Sequence, residues 1–150
     1  MDLNRSANDL LDLLSLVIRE LSGSRDLSLT AVATLGSLDR QGAQRITTLA
    51  TAQGVSQPSM TQLVQRLEQR GLVVRGSDPA DGRVALVKLT DNGRATLADR
   101  RKQNADQIAG LLSSLSDAEA TALGDALATV LPALRARLGS HGRPDSSTGR

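Results

Sequence analysis

The chain lacks two kinds of side chain, cysteine and every aromatic residue, and each absence narrows its chemistry. None of its 150 residues is Cys, Phe, Tyr or Trp. Without cysteine the chain cannot form a disulfide, a thiolate metal site or a thiol redox switch. Without aromatic residues the core must be packed from Leu, Ala and Val, and Leu and Ala are strong helix formers. The composition therefore predicts one mainly helical domain over residues 1–150.

Long apolar runs and the motifs of common enzymes are also missing. No apolar run approaches the roughly 18 residues that cross a membrane, and residues 1–9, MDLNRSAND, lack the pattern of a signal peptide. The one histidine, His141, lies in a polar C-terminal segment, and neither G-x-G-x-x-G nor G-x-x-x-x-G-K occurs. We therefore expect a cytoplasmic protein that is not an enzyme and has no cofactor, metal site or membrane partner.

Positive charge is concentrated in the middle of the chain. The overall net charge is only +2, but residues 40–102 carry +6, between flanks of −3 at residues 1–39 and −1 at residues 103–150. A basic segment between mildly acidic flanks is the electrostatic footprint expected of a protein that binds a polyanion such as DNA.

Periodicity and capping residues divide the chain into six helices and two strands. The predicted order is four helices, two strands and two more helices. The helices are expected at 6–22, 29–41, 46–53, 57–70, 91–114 and 117–138, and the strands at 72–76 and 84–89. Ser28, Thr90 and Ser116 are expected N-caps. Pro132 should kink or split the last helix, and residues 139–150 are expected to be a disordered tail.

The third and fourth predicted helices have the spacing of a helix-turn-helix. Gly54 can make the tight corner between them. A stripe at i, i+3, i+4 and i+7 marks the buried face of the fourth helix: Met60, Leu63, Val64 and Leu67. The cap and outer faces of that helix carry polar side chains suited to base edges and phosphates. These are Ser56, Gln57, Ser59, Thr61, Gln62, Gln65 and Arg66.

The two predicted strands form a hairpin around the turn sequence SDPADGR. Such a hairpin is only marginally stable alone, so it needs the fourth helix or a bound duplex to hold it. Asp78 and Asp81 could suggest a metal pair, but no third ligand is near and turn chemistry explains them better. The hairpin is therefore expected to act as an arm, or wing, that reaches DNA.

Three segments together resemble the MarR family of bacterial winged helix-turn-helix regulators. They are QPSMTQLVQRLEQRGLVVR at 57–75, DPADGR at 78–83 and LTDNG at 89–93, and the resemblance extends over about 8–138. It implies a winged domain at 29–90 and a homodimer held by the helices at 6–22 and 91–138. The apolar residues expected at that interface are Leu10, Leu14, Val17, Leu111, Leu112, Leu127 and Leu131.

The same resemblance implies roles for single residues. The fourth helix would enter the major groove, where Gln62 would read a base, adenine being a suitable partner. The wing residues expected at the DNA are Arg75, Asp81, Gly82 and Arg83. Arg83 would enter the minor groove at the tip of the wing, and Asp81 would hold the wing by pairing with Arg75 or Arg83. Gly82 stands where wings of this family often carry a second arginine, so one positive charge is absent.

Many members of the family bind small, often aromatic, anions in a cleft beside the dimer helices. This chain has no aromatic side chain to stack on such a ligand, and Arg19 is the cation on helix 1 best placed to face the cleft. The resemblance thus implies a homodimeric regulator, usually a repressor, that binds a pseudo-palindromic operator and could be released by a small molecule. The alternative is a winged helix used for protein interaction, without sequence-specific DNA binding.

Overall fold

A computed structural model describes residues 2–23 and 26–140. Within them lie the helices α1 (Leu3–Leu21), α2 (Leu29–Gln41), α3 (Ile46–Gln53), α4 (Gln57–Gln69), α5 (Asp91–Leu112) and α6 (Asp117–Ser140). The strands are β1 (Gln44–Arg45), β2 (Val73–Ser77) and β3 (Ala85–Leu89). The predicted fold class, mainly α with a small β-wing, is confirmed. The chain divides into two compact units between Ile108 and Ala109.

Helix starts follow the capping residues that the sequence predicted. The Ser28 hydroxyl accepts from the Ala31 N–H at 3.1 Å, and α2 begins one residue later, at Leu29. At α6 the predicted capping box is present, because Glu119 Oε2 accepts from the Ser116 N–H at 2.9 Å. The hydrogen bonds that the Glu119 carboxylate accepts from Ser116 hold the pKa of Glu119 below its usual value. Local capping chemistry was therefore sufficient to place both helix starts.

The sheet has a third strand that the sequence analysis missed. β1 is only two residues long and pairs antiparallel with β3, Gln44 opposite Val87, so the strand order is β1-β3-β2. Two polar residues cannot show an alternating pattern, which is why β1 left no signal. Its consequence is mechanical: β3 becomes the central strand, and the wing is attached to the body of the domain.

The core lies where α2, α3, α4 and the sheet meet. The predicted stripe of α4 is buried as expected, with Met60 and Val64 at 0 % exposure and Leu67 at 2 %. Leu35 of α2 and Leu49 of α3 are also fully buried in the same cluster. This packing turns the polar face of α4 towards solvent.

The start of α5 is locked to the end of α4 by hydrogen bonds around Thr90. The Thr90 hydroxyl donates to the Gly71 carbonyl at 2.6 Å and accepts from the Gly93 N–H at 2.9 Å. The Thr90 N–H donates to the Leu72 carbonyl at 3.1 Å. Gly93 therefore packs directly on the Leu72 backbone, and a Cβ at this position would lie 2.0 Å from the Leu72 oxygen.

The apolar residues of α1 are not covered by the described chain. No residue of α1 is buried, and Leu10 and Leu14 are 59 % and 50 % exposed. Apolar residues on several faces of this helix predicted burial in the chain's own core as well as in a partner subunit. The first part is not borne out: within the described residues, only Val17 and Leu21 of α1 are even half-buried. The predicted interface residues Leu111, Leu127 and Leu131 are also exposed, while Val17 and Leu112 are half-buried.

The last helix extends further than expected. α6 is continuous through Pro132 to Ser140, so the proline does not split it, and the Ala128 carbonyl is left without its helical N–H partner. Residues 139 and 140, assigned to the tail, are therefore helical, and 141–150 lie outside the described residues.

The basic stretch of α5 is not simply solvated. The basic run Arg100, Arg101 and Lys102 could by its sequence touch phosphates, but a solvated stretch of the helix was the favoured interpretation. For Arg100 that interpretation is wrong, because its side chain is buried at 5 % exposure. Arg101 Nη1 lies 3.4 Å from Asp39 Oδ2, and Arg94 also pairs with Asp39. These ion pairs join α5 to α2, a role that only the tertiary structure shows.

Candidate nucleic-acid interface

The corner between α3 and α4 has the geometry that the helix-turn-helix spacing predicted. Gly54 adopts the left-handed conformation, with φ 64° and ψ 30°. The Val55 N–H then donates to the Ala50 carbonyl at 3.1 Å and closes the end of α3. A side chain at position 54 would be strained there, which accounts for the glycine. The corner sets the direction in which α4 leaves the body.

Three of the polar residues predicted for DNA contact use their hydroxyls within the helix. Ser56 caps α4: its oxygen accepts from the Ser59 N–H at 3.3 Å and its hydroxyl donates to Ser59 Oγ at 2.8 Å. The Thr61 hydroxyl donates to the Gln57 carbonyl at 2.9 Å. Ser56 and Thr61 therefore use their hydroxyl hydrogens within the helix itself.

The longer polar side chains of α4 are uncommitted, in the sense that they have no hydrogen-bond or ion-pair partner within the described residues. Within the described part of the chain, no hydrogen bond or ion pair engages the side chains of Gln57, Gln62, Gln65 and Arg66, and all four are exposed. Amide and guanidinium groups of this kind can donate to base edges and phosphates. α4 thus presents a hydrogen-bonding surface on the side opposite its buried stripe.

Two aspartate side chains form turns in the wing. Asp78 Oδ1 accepts from the Ala80 N–H at 2.9 Å, and Asp81 Oδ1 accepts from the Arg83 N–H at 3.1 Å. No group of three potential metal ligands occurs in the described ranges. Asp81 therefore orders the backbone at Arg83, and the exposed Arg83 guanidinium has no partner among the described residues. The expected side-chain pairing of Asp81 with Arg75 or Arg83 is wrong.

Arg75 has another partner. Its Nε lies 3.3 Å from Glu68 Oε2, which joins β2 to α4. The pair compensates the positive charge of Arg75, so this residue is a weaker candidate for DNA contact than the sequence suggested. Gly82 is exposed at the tip, with nothing near the position of an added Cβ.

One ion pair of the wing was missed altogether. Arg45, the last residue of β1, donates from Nε at 3.1 Å and from Nη2 at 2.7 Å to Asp78 Oδ2. The Ala80 N–H, and after it Arg45, hold the pKa of Asp78 below its usual value. The two residues are 33 positions apart, so the only signal available was the central excess of arginine. The pair ties the base of the wing to the start of α3.

A hollow of about 390 Å³ lies between the wing and the start of α4. Its lining brings together Arg45, Gln57 and Arg83, which come from three different elements. A smaller hollow of about 250 Å³ lies on the wing itself and includes Arg75, Gly82 and Arg83. The structure therefore places the wing arginine and the first residue of α4 beside one concave surface.

A corner between two helices, a polar second helix and an arginine-tipped hairpin define a winged helix-turn-helix domain. A protein-family model described as the MarR family matches residues 25–84. The chain is 31 % identical over 106 residues to an HTH-type transcriptional regulator of Mycobacterium bovis, covering 71 % of this chain and 74 % of the relative. No described helix is long and apolar enough to cross a membrane.

Solved structures show the same fold. A transcriptional regulator of Thermotoga maritima is similar with a TM-score of 0.70 and 24 % identity, covering 91 % of this chain and 98 % of that one. PcaV of Streptomyces coelicolor, solved with its natural ligand, is similar with a TM-score of 0.60 and 24 % identity, covering 89 % and 97 %. The chain belongs to the MarR family of DNA-binding transcriptional regulators. Members of this family are not enzymes, so the prediction that this chain is not an enzyme is confirmed.

Proposed function

We propose that the chain is a homodimeric repressor that binds a pseudo-palindromic operator. The observation that supports this most strongly is the uncommitted polar surface of α4 beside the Arg83 guanidinium, which is unpaired within the described residues. In a two-fold dimer the two copies of α4 would enter successive major grooves about 34–36 Å apart. Bound across a promoter, such a dimer would block transcription.

Base reading is assigned to the exposed amides of α4. A Gln side chain can donate to N7 of adenine and accept from its N6 amino group only if both polar ends of the amide are available. Gln62 meets this condition, because it is exposed and has no partner among the described residues. Gln57, Gln65 and Arg66 are proposed to support it, by contacts to neighbouring bases or phosphates.

The wing is proposed to reach the adjacent minor groove with Arg83. A narrow A·T-rich minor groove concentrates negative potential and attracts a guanidinium. Asp81 fixes the backbone at Arg83, while Gly82 supplies no second charge. The wing should therefore favour A·T-rich flanks through a single arginine.

A homodimer accounts for the uncovered apolar residues of the terminal helices. Leu10 and Leu14 of α1, and Leu127 and Leu131 of α6, are all at least 38 % exposed in the single chain. Apolar surface of this extent favours association with a second copy, because burial from water stabilises the complex. The interface would comprise these residues with Val17, Leu111 and Leu112.

Release by a small molecule is the final part of the proposal. PcaV, a protein of the same fold, was solved with its natural ligand. In this chain Arg19 is exposed on α1 and is proposed to meet an anionic effector. Such a ligand would act by binding more tightly to the dimer state whose α4 spacing mismatches the operator.

Replacing Arg83 with alanine should weaken binding to duplex DNA of any sequence. The log–log slope of affinity against salt should become less steep by about 0.9 for each phosphate that the variant no longer neutralises. The measurement is a fluorescence-anisotropy salt series, with Arg5→Ala as a control of equal charge; Arg5 is exposed on α1, on the side opposite Leu14. An unchanged slope for Arg83→Ala would contradict DNA contact by Arg83. If the unmodified protein showed no change of DNA affinity with salt concentration, the protein-interaction alternative would be favoured.

Replacing Gln62 with alanine should relax preference at one base pair in each half-site. Without the bidentate pair, roughly 1–3 kcal/mol of discrimination at that base pair disappears. The measurement is binding to a panel of operators mutated one pair at a time, with Gln69→Ala at the end of α4 as the control. If Gln62→Ala and the wild-type protein show the same base preferences across the operator panel, Gln62 does not read a base.

A further inference from the structure

We propose that the hollow between the wing and α4 seats one phosphate of the DNA backbone, with Arg45 as a DNA-contacting residue. This inference rests on the proposed function, and Arg45 lies outside both the recognition helix and the wing. The support comes from side chains that line the hollow and have hydrogen-bond donors to spare.

Three side chains of the lining offer donors with no partner in the described structure. They are the guanidinium of Arg83, the amide of Gln57 and the hydroxyl of Thr47. All three are exposed, and none is held by a hydrogen bond or ion pair from the described residues. Oxygen atoms of a phosphodiester accept from all three types of group.

Arg45 adds a second guanidinium, and its orientation is fixed. Nε and Nη2 both donate to one oxygen of Asp78, which leaves both hydrogens of Nη1 and one of Nη2 available. The Arg45 side chain is 45 % exposed, whereas that of Asp78 is 11 % exposed. Asp78 thus holds the guanidinium at the hollow without filling it, and the entropy cost of ordering a long side chain is met before DNA arrives.

The local charge suits one phosphodiester. Two arginines and no carboxylate line the hollow. Asp78 pairs with the Arg45 guanidinium, whereas Asp81 accepts from the Arg83 backbone N–H and leaves the Arg83 guanidinium unpaired within the described residues. The start of α3 lies in the same lining, at Ile46 and Thr47, and its N-cap residue Arg45 makes no side-chain cap. The uncapped N–H groups of that first turn add a partial positive charge in support of the two arginines.

The position of the hollow favours a phosphate of the DNA backbone over a free anion as its occupant. It lies between α4, proposed for the major groove, and the wing, proposed for the minor groove. The sugar–phosphate backbone separates the two grooves, so a protein that enters both must pass over phosphates between them. Arg45 occupies that intermediate position.

The experiment is a salt series with a mixed-sequence DNA duplex and four proteins: wild type, Arg45→Gln, Asp78→Asn and Arg5→Gln. Arg45→Gln should make the log–log slope less steep by about 0.9 per subunit, because one phosphate is no longer neutralised. Asp78→Asn should keep or steepen the wild-type slope, because it removes an acid and leaves Arg45 charged. Arg5→Gln, a change of equal charge on the side of α1 opposite Leu14, should leave the slope as in wild type.

A wild-type slope for Arg45→Gln would overturn the phosphate site. If Arg45→Gln and Asp78→Asn then weakened binding equally, Arg45 would be only a tether for the wing. Absence of any DNA binding by the wild-type protein would instead reject the proposed function.

A second arm identifies the source of the phosphate. This arm uses an operator duplex selected by binding to the wild-type protein, so that the protein has a fixed register on it. Its backbone phosphates are replaced one at a time by uncharged methylphosphonates. The wild-type protein should lose affinity at one position in each half-site where Arg45→Gln loses none. If both proteins respond alike at every position, the hollow does not hold a backbone phosphate.

Discussion

Replacing Gly93 with alanine is expected to lower the free energy of unfolding by roughly 3 kcal/mol or more, a large part of the stability of a small domain. The added Cβ would lie 2.0 Å from the Leu72 oxygen and 2.7 Å from Leu89 Cδ1. The Leu72 carbonyl cannot simply turn away, because it also accepts from the Thr90 N–H. Relief requires the start of α5 to move away from β2. Chemical denaturation at a fixed protein concentration measures the destabilisation.

Gly110 provides the matched control on the same helix. An added Cβ there meets nothing within 4 Å, so Gly110→Ala should stabilise the protein by about 0.5–1 kcal/mol through helix propensity alone. The two substitutions are chemically identical and are expected to change the free energy of unfolding in opposite directions. If Gly93→Ala is as stable as wild type, the close approach of α5 to the Leu72 backbone is not present in solution.

Replacing Leu14 with aspartate is expected to convert the proposed dimer into a monomer. Leu14 is 50 % exposed in the single chain, so the substitution should spare the core of the winged domain. In a two-fold interface it would place two charges, one from each copy, in an apolar contact. A dissociation constant at least about 100-fold higher corresponds to about 2.7 kcal/mol. Sedimentation velocity over a concentration series measures it.

Asn8→Asp is the control for this effect. It adds the same charge to α1, at a position about 160° around the helix from Leu10, away from the side that carries Leu10 and Leu14. This variant should remain dimeric. The proposed interface would be rejected if Leu14→Asp sedimented as an intact dimer, or if Asn8→Asp dissociated as readily.

Helices and their ends were predictable because their signals are local. α2 at Leu29–Gln41 and α3 at Ile46–Gln53 have the predicted bounds. Both helices end at a glycine, Gly42 and Gly54, and α2 also begins after a capping serine, Ser28, so these signals lie within a few residues of the helix ends. The buried stripe of α4 was predictable for the same reason. Once the buried stripe was assigned, the remaining residues of α4 had to form its polar surface. Those residues supplied the candidates for DNA contact.

Contacts between distant segments were not predictable. Arg75 was expected to pair within the wing but contacts Glu68 of α4, and Asp78 was expected only as a turn residue but also holds Arg45. The chain holds many arginines and acids, and no spacing rule says which of them meet across a sheet. β1 was missed because a two-residue strand exists only through its partner β3.

The order of the six helices and of the two wing strands, the inward stripe of α4 and the concentration of positive charge near it were all determined by the sequence, because each depends on neighbours along the chain. The tertiary structure alone decided which arginines are neutralised and which remain available. Arg75 and Arg94 are paired with carboxylates, whereas Arg66 and Arg83 are unpaired within the described residues. Ion pairing depends on distance in space, and residues as far apart as Arg45 and Asp78 become neighbours only after the chain has folded.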